Sequence, residues 1–595
     1  MNRALSLTVL ALLCAVPPLI PFHTFPLPTF YEEWFAAAFG LALAGFMIAR
    51  SLRVEFAIPE TVLPLGGMLI VLMIQLSGEH SSYRQPIEWA LLYVLFSIVL
   101  VWSGMRLRES FGLDRVVATM AYALVATAVA NGLCTIAQVY GLPELLQPIT
   151  LPLVGDKRPY GNLGQSNLYA DLTALGLGSL VYLVMTDRLR KALAVVLVLV
   201  MLVGLALAGS KLTLAYLIAI ATWQSLGTRG TDAAIRRRGE RWAWSLVLGY
   251  VGVDALMDLS GLSYAGGSLT RLGAMLSDGL QPGNGLAVRL HTWRVAWEIF
   301  IAQPLVGHGF GSFAWEYFQR SPDFSADRVQ AFMGHPHNLL LHLLTDGGVL
   351  SAAFGVVLIG IWIVRIVRQN ASPQRAWIGA LGSIILLHAM LEFPLWYANF
   401  LALLALLFGL TSTRSYSIPI PRVGLVSFAG IVLGGFVFIG VLDRDYSDLR
   451  RWLAQAPPRE QVDLTEAYER DRATLARLRK GILQPELERL LSLRMRIDTE
   501  DLDRKIALNE MLLRHMPHPD VVVRQMMLLA LANRPTEAIA LLDRALFCFP
   551  VLAPAIEATL AELSRDNASV FGVLYEALQA HTAIVHDADP RARVM

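Results

Sequence analysis

The sequence predicts an all-α protein that crosses a membrane many times and ends in a soluble helical segment. Of its 595 residues, 55% are hydrophobic and only 16% are charged, and the mean hydropathy is +0.52, which excludes an ordinary soluble enzyme. The apolar runs are about 17 to 25 residues long, the length that a helix needs to cross a bilayer with its own backbone hydrogen bonds satisfied. After Leu442 no further run of this kind occurs.

We expect about 12 to 13 spanning helices. Their expected positions are 4–22, 33–49, 60–77, 88–105, 115–138, 167–186, 190–208, 211–226, 243–260, 348–368, 376–392, 396–412 and 422–441. The first run follows Arg3 and so also resembles a cleaved signal peptide. We favour a retained span, because Ala15-Val16-Pro17-Pro18 lacks a small-x-small cleavage site and a second apolar run follows closely.

The placement of Lys and Arg predicts the orientation. Alternate connections are basic, as at Arg50, Arg106 and 236–238, whereas the opposite connections, such as 21–33 and 77–87, are nearly free of basic residues. Basic connections stay in the cytoplasm. We therefore expect the large loop at about 261–346, and everything after residue 441, to lie outside the cytoplasmic membrane.

The chain divides by composition into a transmembrane domain, 1–441, and a soluble helical domain, 442–595. In the second part, residues 535–546 and 519–533 resemble the two helices of a tetratricopeptide-type hairpin. Such a domain fits either a stabilising cap or a partner-binding module, and we favour the cap. The three cysteines have no spacing that indicates a disulfide framework or a metal cluster.

Residues 157–167, between the fifth and sixth runs, are dense in groups that bind oxygen atoms. Arg158 suits a phosphate, whereas Tyr160, Gln165 and Asn167 suit sugar hydroxyls. The same residues also fit a polar turn that caps a helix.

Two more cations are candidates for anion binding on the outer face. Lys211 lies in a predicted tight turn at 209–211, where it either extends to the lipid headgroups or pairs with an anion. Arg289 shares one stripe of a predicted amphipathic helix with Trp293 and Ala296. Tryptophan is a common interfacial anchor, but that role does not account for Arg289.

The glycine-rich run 304–311 resembles a phosphate-binding loop, but no strand precedes it and no P-loop lysine follows it. We therefore reject a nucleotide site and expect a tight turn. An enzyme that faces away from the cytoplasm has no ATP, so it needs a donor that is already activated, such as a lipid-linked sugar diphosphate.

His335 and His337, followed by Asn338, stand where a membrane helix meets water. A zinc site with His342 is a poor match, because no Asp, Glu or Cys follows at a familiar spacing. A structural role remains open. We favour a general base or sugar contact, because an imidazole accepts a proton from a hydroxyl near neutral pH.

Together these motifs resemble the O-antigen ligase/polymerase superfamily, and within it the PglL-type bacterial protein O-oligosaccharyltransferases. The resemblance covers nearly the whole chain. It rests on Gly161-Asn162-Leu163-Gly164-Gln165-x-Asn167, Gly209-Ser210-Lys211, Arg289-x-x-x-Trp293-x-x-Ala296, Pro304-x-x-Gly307-x-Gly309-x-x-x-Phe313, His335-x-His337-Asn338-x-x-Leu341 and His388-x-x-x-Glu392-Phe393-Pro394-Leu395-Trp396-Tyr397.

The resemblance implies a GT-C-like O-antigen ligase fold and transfer of a preassembled glycan from undecaprenyl diphosphate to a hydroxyl, without a cofactor or metal. His337 matches the family's essential histidine, and Arg289 and Lys211 match cationic sites that hold the diphosphate. Where this chain has Lys211 the family more often has Arg, so the bidentate fork is lost here. Gln165 and Tyr397 match positions linked to transfer onto protein.

The expected partners are the lipid-linked oligosaccharide, membrane lipids and an acceptor, either a pilin-like protein or lipid A core, with no nucleic acid. The residues expected to position sugar or acceptor are Gln165, Asn167, Tyr160, Asn338, His335, Tyr397 and Glu392. Glu392 fits either a histidine-orienting carboxylate or a helix cap. No obvious carboxylate pair indicates a double displacement, so we expect inversion.

Three alternatives stay open. The first keeps the fold and donor but changes the acceptor, as in an O-antigen ligase or polymerase. The second is a flippase or transporter, although such proteins place ionisable groups near the bilayer midplane between repeats, and here they gather at one aqueous face. The third is a sensor, which has no need of His337.

Overall fold

A computed structural model describes the chain except for residues 1–2, 52–55, 79–82, 143–145, 147, 156, 265–269, 271–272, 274–284, 328, 418–420, 456–471 and 589–595. Much of the expected large loop, at 265–284, therefore lies outside the described residues. The rest of that loop contains two helices and leads directly into a third.

The described part of the chain is almost entirely helical, and each of the thirteen expected spans coincides with a helix. The first fifteen helices and two short strands are α1 Arg3–Ala15, α2 Phe30–Ser51, β1 Ala57–Pro59, α3 Val62–Ser77, α4 Gln85–Phe111, α5 Leu113–Val139, α6 Ser166–Met185, α7 Lys191–Ala208, α8 Thr213–Gly227, α9 Ala233–Leu259, α10 Gly285–Ala302, α11 Phe313–Arg320, α12 Leu339–Arg368, α13 Pro373–Ala389, α14 Ala398–Thr411, β2 Ser415–Ser417 and α15 Pro421–Gln455. The remaining helices are α16 Arg472–Leu478, α17 Gln484–Arg494, α18 Leu502–His515, α19 Pro519–Leu531, α20 Pro535–Cys548, α21 Ala553–Asp566 and α22 Ala568–Ala588.

Eight of these helices are long and apolar enough to cross a bilayer, counted over the described residues: α2, α4, α5, α6, α7, α9, α12 and α15. The other five helices at expected spans are shorter. The protein is a multi-pass membrane protein. The strands β1 and β2 were not expected; they pair antiparallel, with Ile58 opposite Tyr416.

Two helix ends differ from the expectation for physical reasons. Helix α1 ends at Ala15 rather than at residue 22, because Pro17 and Pro18 lack the N–H groups that would continue it and form a short 3-10 turn instead. Helix α12 starts earlier than the expected span, at Leu339, where the side chain of Asn338 accepts a hydrogen bond from the backbone N–H of Leu341 and caps it. Gly348, with φ of +65° and ψ of −171°, breaks this helix, so its second part, 349–368, corresponds to the expected span 348–368.

The membrane part packs around α6, whose apolar window is entirely buried. Helices α5, α7, α8 and α13 surround it. Small residues let other helices approach closely. On α4, a side chain at Gly104 would strike the backbone of α14, and one at Gly409 on α14 would strike the backbone of α4. These glycines fix the separation of the two helices.

The C-terminal helices form hairpins that pack on loops of the membrane part. The expected hairpin is present as α19 and α20, and α21 packs against α22. Helix α15 runs through residue 441 without a break, so the membrane part and the C-terminal segment share one helix. The Tyr83 hydroxyl donates to Glu488, and Phe332 packs against Phe549 at 5.1 Å between ring centroids.

Candidate active site

The His-x-His-Asn motif forms a strained turn whose two ends are fixed. At one end, the indole N–H of Trp293 donates to the carbonyl oxygen of Pro336 at 3.0 Å. At the other end, Asn338 caps α12. Between them His337 has φ of +50°, in the left-handed region that only Gly, Asn and Asp adopt readily. Strain of this kind is concentrated at functional sites.

Glu392 is the centre of a cluster beside this turn, which it forms with His337, Arg289 and Asn167. It follows α13 in a turn whose backbone N–H groups at 391 and 392 donate to the carbonyl oxygen of His388. One carboxylate oxygen lies 3.1 Å from Nδ1 of His337, and the other accepts from Arg289 at 3.1 Å and from Asn167 at 3.2 Å. Residues far apart in the sequence thus meet at one carboxylate.

Helix α10 supplies the Arg289-Trp293-Ala296 stripe that the sequence predicted. Arg289 and Trp293 are four residues apart and so lie on one helix face. Arg289 reaches Glu392, Trp293 reaches the histidine turn, and Ala296 is fully buried beneath them. The stripe therefore fixes the position of the histidine turn relative to the Glu392 carboxylate.

The turn at 209–211 extends the network through its backbone and its serine. The Ser210 hydroxyl donates to Asn167 at 2.9 Å, and Arg158 donates to the carbonyl oxygen of Gly209 at 2.8 Å. Lys211 points outward and is exposed, with no hydrogen bond or ion pair to the described part of the chain. The structure therefore joins Arg158 to the cluster through Gly209, whereas the Lys211 ammonium stands apart.

Tyr160 and Gln165 are not brought into the cluster. Tyr160 is buried, and its hydroxyl donates to the carbonyl oxygen of Pro152 at 2.7 Å, so it supports its own loop. Gln165 immediately precedes α6, and its side-chain amide makes no hydrogen bond within the described residues. Asn162 organises the interior of this loop instead. Its side-chain amide donates to the carbonyl oxygens of Leu19 and Ile149 and accepts from the backbone N–H of Leu151.

His335 lies beside the cluster and remains neutral. Its ring lies 3.9 Å from that of Phe393 and 5.4 Å from that of His337, centroid to centroid. Burial, followed by the charges of His342 and His337 when protonated, lowers the pKa of His335 to about 3. Tyr397 stacks on the far side of Phe393 at 6.3 Å. His335 is therefore a ring contact and hydrogen-bonding group, not a cation.

Sequence reasoning overlooked a second histidine–carboxylate pair, His342 and Asp346. Nε2 of His342 lies 3.2 Å from Asp346, which is fully buried and also accepts from the backbone N–H of Gly311 at 2.9 Å. The glycine-rich run thus forms a turn, as expected, and its role is to hold Asp346. The spacing of four residues on a helix was the available signal, but no helix was expected over residues 339–347, which precede the break at Gly348.

A third pair, His388 and Asp171, lies deeper in the membrane part. Nδ1 of His388 is 2.8 Å from Asp171, and both side chains are fully buried. His388 belongs to the His388-x-x-x-Glu392 motif, but no spacing in the sequence links it to Asp171, which lies 217 residues away. No group of three or more His, Cys, Asp or Glu side chains in the described ranges is arranged to hold a metal ion.

Two family models match successive parts of this chain. A model described as "O-Antigen ligase" matches residues 168–354, and one described as "Virulence factor membrane-bound polymerase, C-terminal" matches residues 376–562. The chain is also 24% identical over 459 residues to the general O-oligosaccharyltransferase of Acinetobacter baylyi, across 75% of this chain and 76% of that protein. The chain belongs to the O-antigen ligase superfamily.

As a member of this superfamily the protein is a glycosyltransferase of the O-oligosaccharyltransferase and ligase type. The two matched segments meet at the cluster, because Arg289 and His337 fall in the first and Glu392 falls in the second. Chemically, the cluster presents a proton acceptor, His337, beside a cation, Arg289, that can pair with an anionic leaving group.

Proposed function

We propose that the protein transfers a preassembled oligosaccharide from undecaprenyl diphosphate to Ser or Thr hydroxyls of periplasmic proteins such as pilin. The observation that carries the proposal is the shared carboxylate of Glu392, which joins His337 to Arg289. The name of the Acinetobacter baylyi relative, a general O-oligosaccharyltransferase, supports transfer of an oligosaccharide to an oxygen atom.

The reaction balances as a single displacement. The acceptor hydroxyl oxygen forms a bond to the anomeric carbon while the bond from that carbon to the diphosphate oxygen breaks. The acceptor proton passes to Nε2 of His337, since Nδ1 faces Glu392, and the electron pair leaves with undecaprenyl diphosphate. Attack from the side opposite the leaving group inverts the anomeric configuration.

Each residue of the cluster has a role in this scheme. Glu392 orients the His337 ring and stabilises it once protonated, as carboxylates do in other histidine-based catalytic sites. Arg289 stabilises the growing charge on the diphosphate, and Arg158, which is joined to the cluster through Gly209, supplies further positive charge at the edge of the site. Lys211 is exposed and apart from the cluster, so it has no role in this scheme. Asn167, Gln165 and Tyr397 would contact sugar or acceptor.

We further propose that the cluster faces the periplasm from the bacterial inner membrane. The basic connections at Arg50 and Arg106 lie at the opposite ends of their helices, and such connections stay in the cytoplasm. In this arrangement residues 1–441 form the transferase domain and residues 442–595 a periplasmic helical domain.

The test is glycan transfer in a glycosylation-null bacterial host that supplies the lipid-linked oligosaccharide, a pilin-like acceptor and lipid A core. We expect glycosylated pilin with the wild type and at least about 100-fold less with His337→Ala. Because Asn tolerates the left-handed backbone but cannot accept the proton, His337→Asn separates the loss of the base from backbone strain. The matched control is His581→Ala on α22, remote from the cluster, which should transfer at the wild-type rate.

The outcomes separate the candidate functions. Modified lipid A core with unmodified pilin would identify an O-antigen ligase, the function for which the model matching residues 168–354 is named. Wild-type transfer by His337→Asn would eliminate His337 as the base.

A further inference from the structure

A long apolar chamber lies beside the His337 cluster, between the membrane helices and the C-terminal helices. Its volume is about 730 Å3, and its walls come from α2, α4, α15 and the segment between α16 and the end of α18. Of the site residues, His335 and Tyr397 line it, whereas His337 and Arg289 do not. His335 lies at the end where α4 begins, since the neighbouring Gly334 approaches Met516 of the C-terminal segment. The chamber is therefore a separate space that meets the cluster at His335.

The chamber extends deep along one face of α4. Gln85, Trp89, Phe96 and Val99 all line it. Gln85 and Val99 are fourteen positions apart on the helix, which corresponds to about 21 Å at 1.5 Å per residue. That is a large part of the roughly 30 Å thickness of the hydrocarbon core of a bilayer. A ligand that fills the chamber is accordingly long and reaches to membrane depth.

The chamber offers apolar surface and few free polar groups. The carboxylate of Glu33, on its wall, already accepts from the Tyr93 hydroxyl and from the backbone N–H of Ala398, both at 2.7 Å. Asp346, which also lines the chamber, is held by Gly311 and His342. A glycan or an extended peptide placed here would lose hydrogen bonds to water without replacement, whereas a hydrocarbon chain loses none.

We propose that this chamber binds the polyprenyl chain of the donor lipid and that the C-terminal helices are part of that binding site. The proposal rests on the proposed function for its choice of lipid. Continuity with the cluster supports that choice, because the His335 ring, at the end where α4 begins, is 5.4 Å from the His337 ring, and His337 connects through Glu392 to Arg289. A chain in the chamber thus ends beside the cation proposed to hold its diphosphate.

The C-terminal wall of the chamber is bonded to the membrane part at the end where α4 begins. Ile482, Pro485 and Met516 line the chamber from the C-terminal side. Next to them the side chain of Gln85, the first residue of α4, donates to Gln484 at 3.0 Å. The C-terminal segment is therefore held as a fixed wall over the outer part of the chamber.

The test measures binding rather than turnover, so it can be read even if the proposed transfer reaction fails. Purified full-length protein in nanodiscs is titrated with radiolabelled undecaprenyl diphosphate and, separately, with geranyl diphosphate, which has the same headgroup and a short chain. Gly434 lines the chamber on α15, and a side chain built there meets open space. Gly434→Leu therefore fills the chamber without a clash.

We expect Gly434→Leu to weaken undecaprenyl diphosphate binding at least about tenfold, because each displaced methylene costs about fourfold in affinity. Binding of geranyl diphosphate should not change, which shows that the fold and the headgroup site are intact. The control is Gly440→Leu, an equally open position on α15 that lies outside the chamber lining, and it should bind both lipids as the wild type does.

The role of the C-terminal wall is tested by Ile482→Trp, with Val551→Trp at an exposed position of the same segment as its control. Only Ile482→Trp should weaken binding of the long-chain lipid. Wild-type affinity in Gly434→Leu, equal loss of both lipids, or a wild type that does not prefer the long chain would each overturn the chamber as a polyprenyl site. Unchanged affinity in Ile482→Trp would remove the C-terminal helices from it.

Discussion

Two histidine–carboxylate pairs flank His335, and their carboxylates are held in different ways. In the first, His337 contacts Glu392 at 3.1 Å, and Glu392 is shared with the side chains of Arg289 and Asn167. In the second, His342 contacts Asp346 at 3.2 Å, and Asp346 is fixed by the backbone of the glycine turn. The side chain of His337 is 19% exposed, whereas Asp346 is completely buried.

The difference shows that a histidine beside a carboxylate does not by itself identify a catalytic base. Glu392 can exchange partners when an anionic ligand engages Arg289, because its neighbours are side chains. Asp346 is held more firmly, because one of its partners is a backbone N–H within a tight turn and the Thr345 hydroxyl donates to its other oxygen. The first pair is therefore suited to a reaction, and the second to holding the glycine turn against α12.

The largest expected effect is that of Glu392→Gln, which removes the negative charge that His337 and Arg289 share. We expect the single-turnover rate of transfer to fall about 100-fold, within the range for impaired acid–base catalysis, with little change in folding. The matched control is Glu557→Gln, at an exposed position on α21. A variant within twofold of the wild-type rate would contradict the role given to the first pair.

Asp346→Ala should affect stability more than chemistry. The change leaves the N–H of Gly311 and the ring of His342 without their buried carboxylate acceptor, at a cost of about 1–3 kcal/mol in the free energy of unfolding. Thermal unfolding in detergent measures this loss, and we expect transfer per folded molecule to fall less than tenfold. A stable variant as inactive as Glu392→Gln would make the second pair catalytic as well.

The smallest expected effect concerns His335, between the two pairs. Its pKa is lowered to about 3 from an ordinary value of 6.5, so the unfolded chain binds a proton more readily than the folded protein does. Its contribution to stability is complete above pH 6.5 and is lost as the pH falls toward 3. The unfolding temperature should fall less between pH 7 and pH 5 in His335→Gln than in the wild type.

That difference should amount to a few degrees at most. An identical fall in both proteins would show that His335 is not held neutral by burial. The half-maximal pH of the transfer rate between pH 5 and 8 should be the same in both, because His335 does not change charge in that range.

The helical membrane architecture was predictable because a bilayer requires long apolar runs that satisfy their own backbone hydrogen bonds. All thirteen expected spans coincide with helices for that reason. Helix ends were less predictable, because they depend on single residues, such as the prolines after α1 and the Asn338 cap of α12.

The site was predictable in its residues but not in its contacts. Arg289, His337 and Glu392 were all named from motifs, yet their meeting depends on helix packing over separations of 55 and 103 residues. Motifs also group residues that serve different purposes. Tyr160 belongs to the same segment as Asn167, but it supports the loop while Asn167 reaches Glu392.

Helix α15 continues from the membrane part into the C-terminal segment, so the orientation of that segment around the helix axis depends on the number of residues in the helix. It is 35 residues long, about 52 Å, against a hydrocarbon core of roughly 30 Å, so it continues well beyond the membrane. Adding one residue beyond Leu442 would turn everything that follows by about 100° around the helix axis. A chimera that exchanges this segment with that of a relative must therefore conserve helical phase at the junction, whatever the two sequences share.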